Sequence, residues 1–255
     1  KLPSMKLKFF LLFFAFSLLQ LTAQEKSDYN TQYRAEREKI NNLKHTKLKL
    51  SFDYAKRHVL GEAWLTVSPH FYNTSTLTLD AKAMLIHEVS LKGKALKYDY
   101  KDDILVINLD RTYSKNDEYI VYIKYTARPD EVKQAGSAAI SDAKGLYFID
   151  PDGTDPKKPT QIWTQGETES SSCWFPTIDT PNQKTTQEIY LTVPDKYVTL
   201  SNGLMVNQTK NSDGTRTDYW KLDQKHAPYL FFVGVGEYSI VKDKWKNIPV
   251  DYYVE

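Results

Sequence analysis

The chain has 255 residues, with 34 Lys and Arg against 32 Asp and Glu and a formal net charge of +2. That length holds one or two domains and a sizeable buried core, and so even a charge balance gives no electrostatic footprint for nucleic acid. A single cysteine, Cys173, excludes an internal disulfide, so the 18 Tyr, 5 Trp and 11 Phe must hold a β-rich globular protein by packing alone.

At the start, Met5-Lys6-Leu7-Lys8 is basic and residues 9–21 are an apolar run of 13. That run is too short to cross a bilayer comfortably and has the shape of a secretory signal, with cleavage expected near Ala23 or Gln24. Lys1 to Ser4 precede the initiator expected at Met5. Removing residues 1–24, which carry three Lys and no acid, turns the net charge to −1. The mature chain is therefore expected to be exported, periplasmic or secreted, with no stable membrane span. Residues 25–44 are charged and polar, a short helical or disordered lead-in.

From Lys47 the pattern has period two: Leu48, Leu50 and Phe52 alternate with Lys49, Ser51 and Asp53. Residues 59–67, 76–79, 104–107 and 118–125 continue as strand-length runs. Tyr72-Asn73-Thr74-Ser75, Lys92-Gly93-Lys94 and Ser114-Lys115-Asn116-Asp117 separate them as turns. Residues 128–160, with Pro129, Pro151, Pro156 and Pro159, form a looser connection. Strands resume over 187–193, 198–200, 217–222 and 229–236. Short strands so regularly spaced predict an all-β antiparallel sandwich, residues 45–241, rather than βαβ units. Residues 242–255 start a further strand and stop inside it, so the sequence reads as truncated.

Metal chemistry finds little support. His45, His58, His70, His87 and His226 include no pair four apart, as a helical zinc site needs. His87-Glu88-Val89-Ser90-Leu91 opens like such a helix, but it has Leu91 in the second ligand position and lies in a β pattern. The run Asp150-Pro151-Asp152-Gly153-Thr154-Asp155 resembles a calcium loop, yet position twelve is Gln161 and not an acid. Pro and Gly there are turn chemistry. Cys173 and His226 make a thiol–imidazole pair conceivable, with no third group to orient it; a Cys beside Trp174 reads as a small packed residue. The Asn73 and Asn207 sequons mark exposed turns.

Residues 163–176, WTQGETESSSCWFP, stand apart from the alternating pattern. On an extended segment Gln165 and Glu167 point to the same side, and Gly166 lets a backbone approach closely. A carboxylate beside an amide carbonyl suits a small cation with several N–H donors, such as a primary ammonium. The competing reading is two solvated polar residues on a strand edge.

Thr164-Gln165-Gly166-Glu167 is followed, eight residues after the Glu, by Phe175-Pro176-Thr177-Ile178-Asp179-Thr180-Pro181. In order and spacing this resembles the Thr-Gln-x-Glu and Phe-Pro-x-x-Asp-x-Pro segments of the M1 (aminopeptidase N-like) zinc metallopeptidases, in a form like the bacterial branch. Lys184, Leu200-Ser201-Asn202-Gly203, residues 229–238 and Leu60-Gly61-Glu62 extend the resemblance over roughly residues 45–250. The family's frequent Phe-Pro-Cys is Phe-Pro-Thr177 here, and Gly166 stands where an aromatic is common.

The resemblance implies an N-terminal β-sandwich domain that packs on its own C-terminal catalytic domain. Glu167 would bind the free α-ammonium of a peptide substrate, with Gln165 and Gly166 lining the same pocket. The zinc ligands, a His-Glu-x-x-His helix and a distal Glu, and the Gly-x-Met-Glu-Asn segment do not occur in residues 1–255, so no catalytic or metal residue is expected in this chain. Two alternatives stand beside this: a non-catalytic M1-like scaffold or interaction module, and an exported carbohydrate- or surface-binding sandwich.

Overall fold

Period-two alternation turns into half-buried strand in much of the molecule. Thr185–Pro194 alternates strictly between buried and half-buried residues, because successive side chains leave a strand on opposite faces. The structure, a computed structural model, describes residues 37–133 and 142–254; the signal expected over 1–24, and the lead-in up to residue 36, lie outside the described residues. In chain order the strands are β1 (Asn41–Asp53), β2 (His58–Pro69), β3 (Thr74–Asp80), β4 (Met84–Leu91), β5 (Lys94–Ala95), β6 (Tyr98–Lys101), β7 (Ile104–Tyr113), β8 (Tyr119–Ala127) and β9 (Leu146–Ile149). They continue as β10 (Gln161–Thr164), β11 (Thr185–Pro194), β12 (Val198–Ser201), β13 (Leu204–Lys210), β14 (Thr215–His226), β15 (Val233–Gly236), β16 (Ser239–Trp245) and β17 (Ile248–Val254). Three 3₁₀ turns, Pro129–Glu131, Ser171–Cys173 and Pro228–Leu230, are the only helical elements among the described residues.

An eight-stranded sheet runs β13-β14-β11-β1-β2-β8-β4-β5, beside a four-stranded sheet β12-β15-β10-β9, a three-stranded sheet β3-β7-β6 and the β16-β17 hairpin. Pairing is antiparallel except between β1 and β11, where Leu48 meets Ile189 and Leu50 meets Leu191 in parallel. A parallel pair needs a long connection, and the whole span from β2 to β10 intervenes. The tight links use residues that tolerate positive φ: Asp102 and Asp103 (51° and 64°) between β6 and β7, and Lys92 and Gly93 (52° and 75°) between β4 and β5. Two successive positive φ values match the twist of a two-residue hairpin.

One cluster of buried residues draws on all three larger sheets: Leu48, Leu65 and Ile123 from the first, Ile162 and Val235 from the four-stranded one, and Leu77 and Ile107 from the three-stranded one. The architecture is therefore an all-β, sandwich-like layering of sheets over a shared core.

In places the chain departs from its periodicity. β1 starts at Asn41, within the expected lead-in, where Leu43 is buried. Part of the connection expected over 128–160 is strand β9, whose ladder partner β10 lies beyond it in sequence. The strand expected over 229–236 opens as the 3₁₀ turn Pro228–Leu230 and only then becomes β15, since Pro228 fixes φ and gives no N–H to a ladder. Residues 248–254 pair with Ser239–Trp245 as the β16-β17 hairpin.

Candidate functional site

β10 carries the distinctive stretch out of the small sheet. Trp163 pairs with Tyr147 of β9 on one side and Gly234 of β15 on the other, and the Trp163 and Tyr147 rings stack at 4.4 Å with planes 17° apart. Beyond β10 the Gln165 N–H donates to the Gly145 carbonyl at 2.9 Å. Gly145 has φ +69°, and a Cβ there would run into the Ser170 carbonyl. At Gly166 the chain leaves the sheet. A Cβ on Gly166 would collide with the Tyr229 carbonyl and lie 2.8 Å from Ser171 Oγ. The close approach expected of Gly166 is thus to the protein's own backbone.

The chain then turns. Ser170 N–H donates to the Gly166 carbonyl at 2.9 Å, and Glu167, Thr168 and Glu169 stand exposed on the turn. Gln165 is half-buried, and its Oε1 accepts the Glu167 backbone N–H at 2.9 Å. The two residues are brought together in this way, and not by side chains parallel on one extended edge: a same-side rule for strands stops applying where the backbone bends at Gly166. The Gln165 oxygen keeps a second lone pair. Among the described residues, no hydrogen bond or ion pair engages the Glu167 carboxylate.

Behind the turn the stretch is interior. Residues 170–180 are buried throughout. Trp174 packs edge-on to Phe175 at 4.4 Å, and Phe175 meets Phe231 at 5.1 Å. Ser171 Oγ donates to the Pro228 carbonyl at 2.8 Å. Cys173 donates its S–H to the Ala143 carbonyl at 3.5 Å, and burial pushes its thiol up to about 12. His226 bonds Gln187 Oε1 through Nε2 at 3.0 Å and stacks on Phe231 at 4.6 Å; burial lowers its pKa. The thiol and the imidazole therefore have separate partners, and a thiol held protonated is no nucleophile.

Three residues that sequence reasoning did not join support the loop from the other side: Asp80, Lys82 and Asp179. Asp80 and Thr177 exchange backbone hydrogen bonds at 2.8 and 3.0 Å. Asp80 Oδ2 accepts the Asp179 N–H at 2.8 Å, and Asp179 Oδ2 accepts the Ser172 N–H at 2.9 Å. Lys82 N–H donates to the Ser172 carbonyl at 2.8 Å and its ammonium to the Glu169 carbonyl at 2.6 Å. Burial pushes the Asp179 carboxyl up to about 6; the like charge of Asp80 adds to this, while the Ser172 N–H and Lys82 oppose it. Asp179 was visible as part of Phe-Pro-x-x-Asp-x-Pro, but nothing in the sequence pairs it with Asp80.

Elsewhere the expected features fall into place as structure. His87 lies in β4 and bonds Thr126 Oγ1 at 2.8 Å. Asp150 Oδ1 accepts the Thr154 and Asp155 N–H groups at 3.1 and 3.2 Å, a capped turn. Among the described residues no group of three or more His, Cys, Asp or Glu is placed to hold a metal ion, and no helix is long and apolar enough to cross a membrane. Grooves of about 810 and 640 Å³ lie on the eight-stranded sheet, lined by residues such as Lys49, Glu62 and Lys124 in one and Trp64 and Tyr122 in the other; neither is lined by any residue of 165–180.

Known proteins have similar sequences and a similar fold. The family model described as the peptidase M1 N-terminal domain matches residues 23–230. Leukotriene A-4 hydrolase of Xenopus laevis is 27% identical over 203 residues, which cover 76% of this chain and 31% of that protein. Probable aminopeptidase 1 of Sulfurisphaera tokodaii is 25% identical over 171 residues, covering 66% and 19%. Transcription initiation factor TFIID subunit 2 of Schizosaccharomyces pombe is 24% identical over 190 residues, covering 66% and 16%. Among solved structures, the M1 zinc metallopeptidase of Deinococcus radiodurans bound to a Tyr-Ser-Ala substrate superposes with a TM-score of 0.66 at 16% identity, covering 83% of this chain and 46% of that one. A two-domain M1 zinc metallopeptidase bound to L-arginine gives 0.69 at 16%, covering 84% and 47%. The chain thus spans under a third of these curated relatives and about half of the solved chains. With the family model matched along most of its length, the chain belongs to the peptidase M1 N-terminal domain family.

Proposed function

We propose that this chain is the N-terminal, substrate-anchoring domain of an exported zinc aminopeptidase of the bacterial branch, with the sandwich over residues 45–241 and a junction starting at 242. Glu167 binds the free α-ammonium of a peptide, and Gln165 and Gly166 shape the same pocket. The observation that carries this reading is the exposed Glu167 carboxylate, without a partner among the described residues, on a turn fixed by Gln165 and Gly166. A peptide α-amino group has a pKa of about 7.7–8.0 and is largely charged at neutral pH. A charge-assisted bond to it is worth about 1.5–3 kcal/mol and fixes how far the first peptide bond lies from the anchor. Zinc, held by residues outside 1–255, would polarise the scissile carbonyl and activate water; the part assigned to this chain is to hold and register the amine.

In the full-length protein, Glu167→Ala is expected to lower kcat/KM for unblocked aminoacyl substrates by roughly ten- to a hundredfold, with zinc content unchanged. Normal cleavage by that variant would remove Glu167 from the site. A second reading, a non-catalytic M1-like interaction scaffold, is favoured by the similarity to a transcription initiation factor subunit. Gly-x-Met-Glu-Asn and His-Glu-x-x-His segments in the downstream coding sequence would favour the peptidase, and a complete reading frame without them the scaffold.

A further inference from the structure

The loop over residues 165–180 encloses polar groups that a β core normally excludes. Ser170 Oγ, Ser172 Oγ, Trp174 Nε1 and Thr177 Oγ1 are buried without a hydrogen-bond partner among the described residues, each a cost to the closed loop. Among the bonds that hold it, those around Asp179 are the Ser172 N–H on its carboxyl and its own N–H on Asp80, with two bonds from Lys82 and the Asp80–Thr177 backbone pair beside them. Asp179 lies at the end of the same loop that presents Gln165 and Glu167, so a change in its charge acts on the turn that carries them.

We propose that Asp179 is the positioning residue of the Gln165–Glu167 turn: with its buried carboxyl protonated the loop stays closed against Asp80 and Lys82, and ionisation loosens it. The sign follows from burial. An acid whose pKa is raised in the closed loop binds its proton more tightly there than in the open one, so raising the pH favours opening. Burial, which lifts Asp179 to about 6, is the leading cause of its shift. The charged and titratable groups around it are Asp80 from the end of β3, Lys82 from the β3–β4 connection and Cys173 from its own loop, with Asp103 reaching the cluster through the Ala81 and Ala83 N–H groups. Lys82 favours the ionised form and Asp80 disfavours it; the protonated thiol is neutral.

Hydrogen exchange of the full chain between pH 5 and 7.5, corrected for the intrinsic rate, reads this directly. The hydrogen-bonded amides of Ser170, Ser172, Cys173 and Trp174 should lose protection at least about tenfold as the pH rises, and at each pH they should stay less protected than amides of β1, β2 and β8, which exchange only when the whole sheet unfolds. In Asp179→Asn, which keeps the shape and cannot ionise, the loop should stay protected at both pH values. The wild-type titration needs no variant, so the claim stands or falls even where Asp179→Asn does not fold. A flat wild-type profile, loop protection equal to that of the sheet at both pH values, or an unchanged titration in Asp179→Asn would overturn it. The consequence for amine binding rests on the functional reading above. Normal cleavage by Glu167→Ala would remove that reading and leave the exchange result untouched.

Discussion

The eight-stranded sheet and the loop over residues 165–180 are buried by different means. In β2 and β11 burial falls mostly on apolar side chains: Ala63, Leu65 and Val67, or Ile189, Leu191 and Val193, face the core, with Ser68, Thr185 and Gln187 as buried polar exceptions. In the loop it falls on Ser170, Ser171, Ser172, Thr177 and Asp179 as fully as on Trp174 and Phe175. The sheet gains from apolar area removed from water, and its backbone groups are satisfied by the ladder. The loop buries polar groups that need specific partners from β3 and the turn after it, from Ala143 ahead of β9 and from the Pro228–Leu230 turn. It therefore depends on single contacts in a way the sheet does not, and its one exposed turn is the part that carries the candidate anchor.

The comparison can be tested by substitution, beginning where the loop is most like a core. Phe175→Ala removes a ring with 0% exposure, packed on Trp174 and Phe231, and should cost about 3–5 kcal/mol in denaturant unfolding. A loss under 1 kcal/mol would mean that the loop is not integral to the core. Asp179→Asn should act in the opposite direction. Below about pH 4 the carboxyl is protonated whether folded or unfolded, so the variant matches the wild type. As the pH rises through 6 the wild type must hold an ionised buried carboxylate and loses up to about 3 kcal/mol that the variant keeps. Denaturation at pH 4 and pH 7 checks both ends, and a variant less stable than wild type at pH 7 would show that the ionised Asp179 bonds outweigh the burial penalty.

Smaller effects separate the turn from its support. Gly166→Ala places a methyl group against the Tyr229 carbonyl and should cost about 1–3 kcal/mol. Glu167→Ala, on an exposed carboxylate, should leave stability within about 0.5 kcal/mol while reducing the cleavage of unblocked substrates. Equal stability losses in these two variants would erase the distinction between a structural Gly166 and a functional Glu167.

The all-β class, most strands and the singular character of residues 163–176 were legible in the sequence, because alternation and turn chemistry are local. His87-Glu88-Val89-Ser90-Leu91 was correctly read as strand on the same ground. The strands β9 and β10 were less legible: they are four residues each and flanked by Pro and Gly, too short for a period to register. Gln165 and Glu167 were picked out by residue type and spacing, but their geometry was not. A strand rule put their side chains in parallel, whereas the structure ties the Gln165 oxygen to the Glu167 backbone across a bend.

By itself the sequence determined what neighbours along the chain decide: strand faces, hairpin turns, and the presence of a glycine between an amide and an acid. Tertiary structure alone decided what distant segments supply. Gly166 is required because Tyr229, far along the chain, passes against it, and the Asp179 carboxyl is pushed up because packing against β3 and its following turn buries it. Close approach and desolvation are properties of the packed molecule, and no local pattern encodes them.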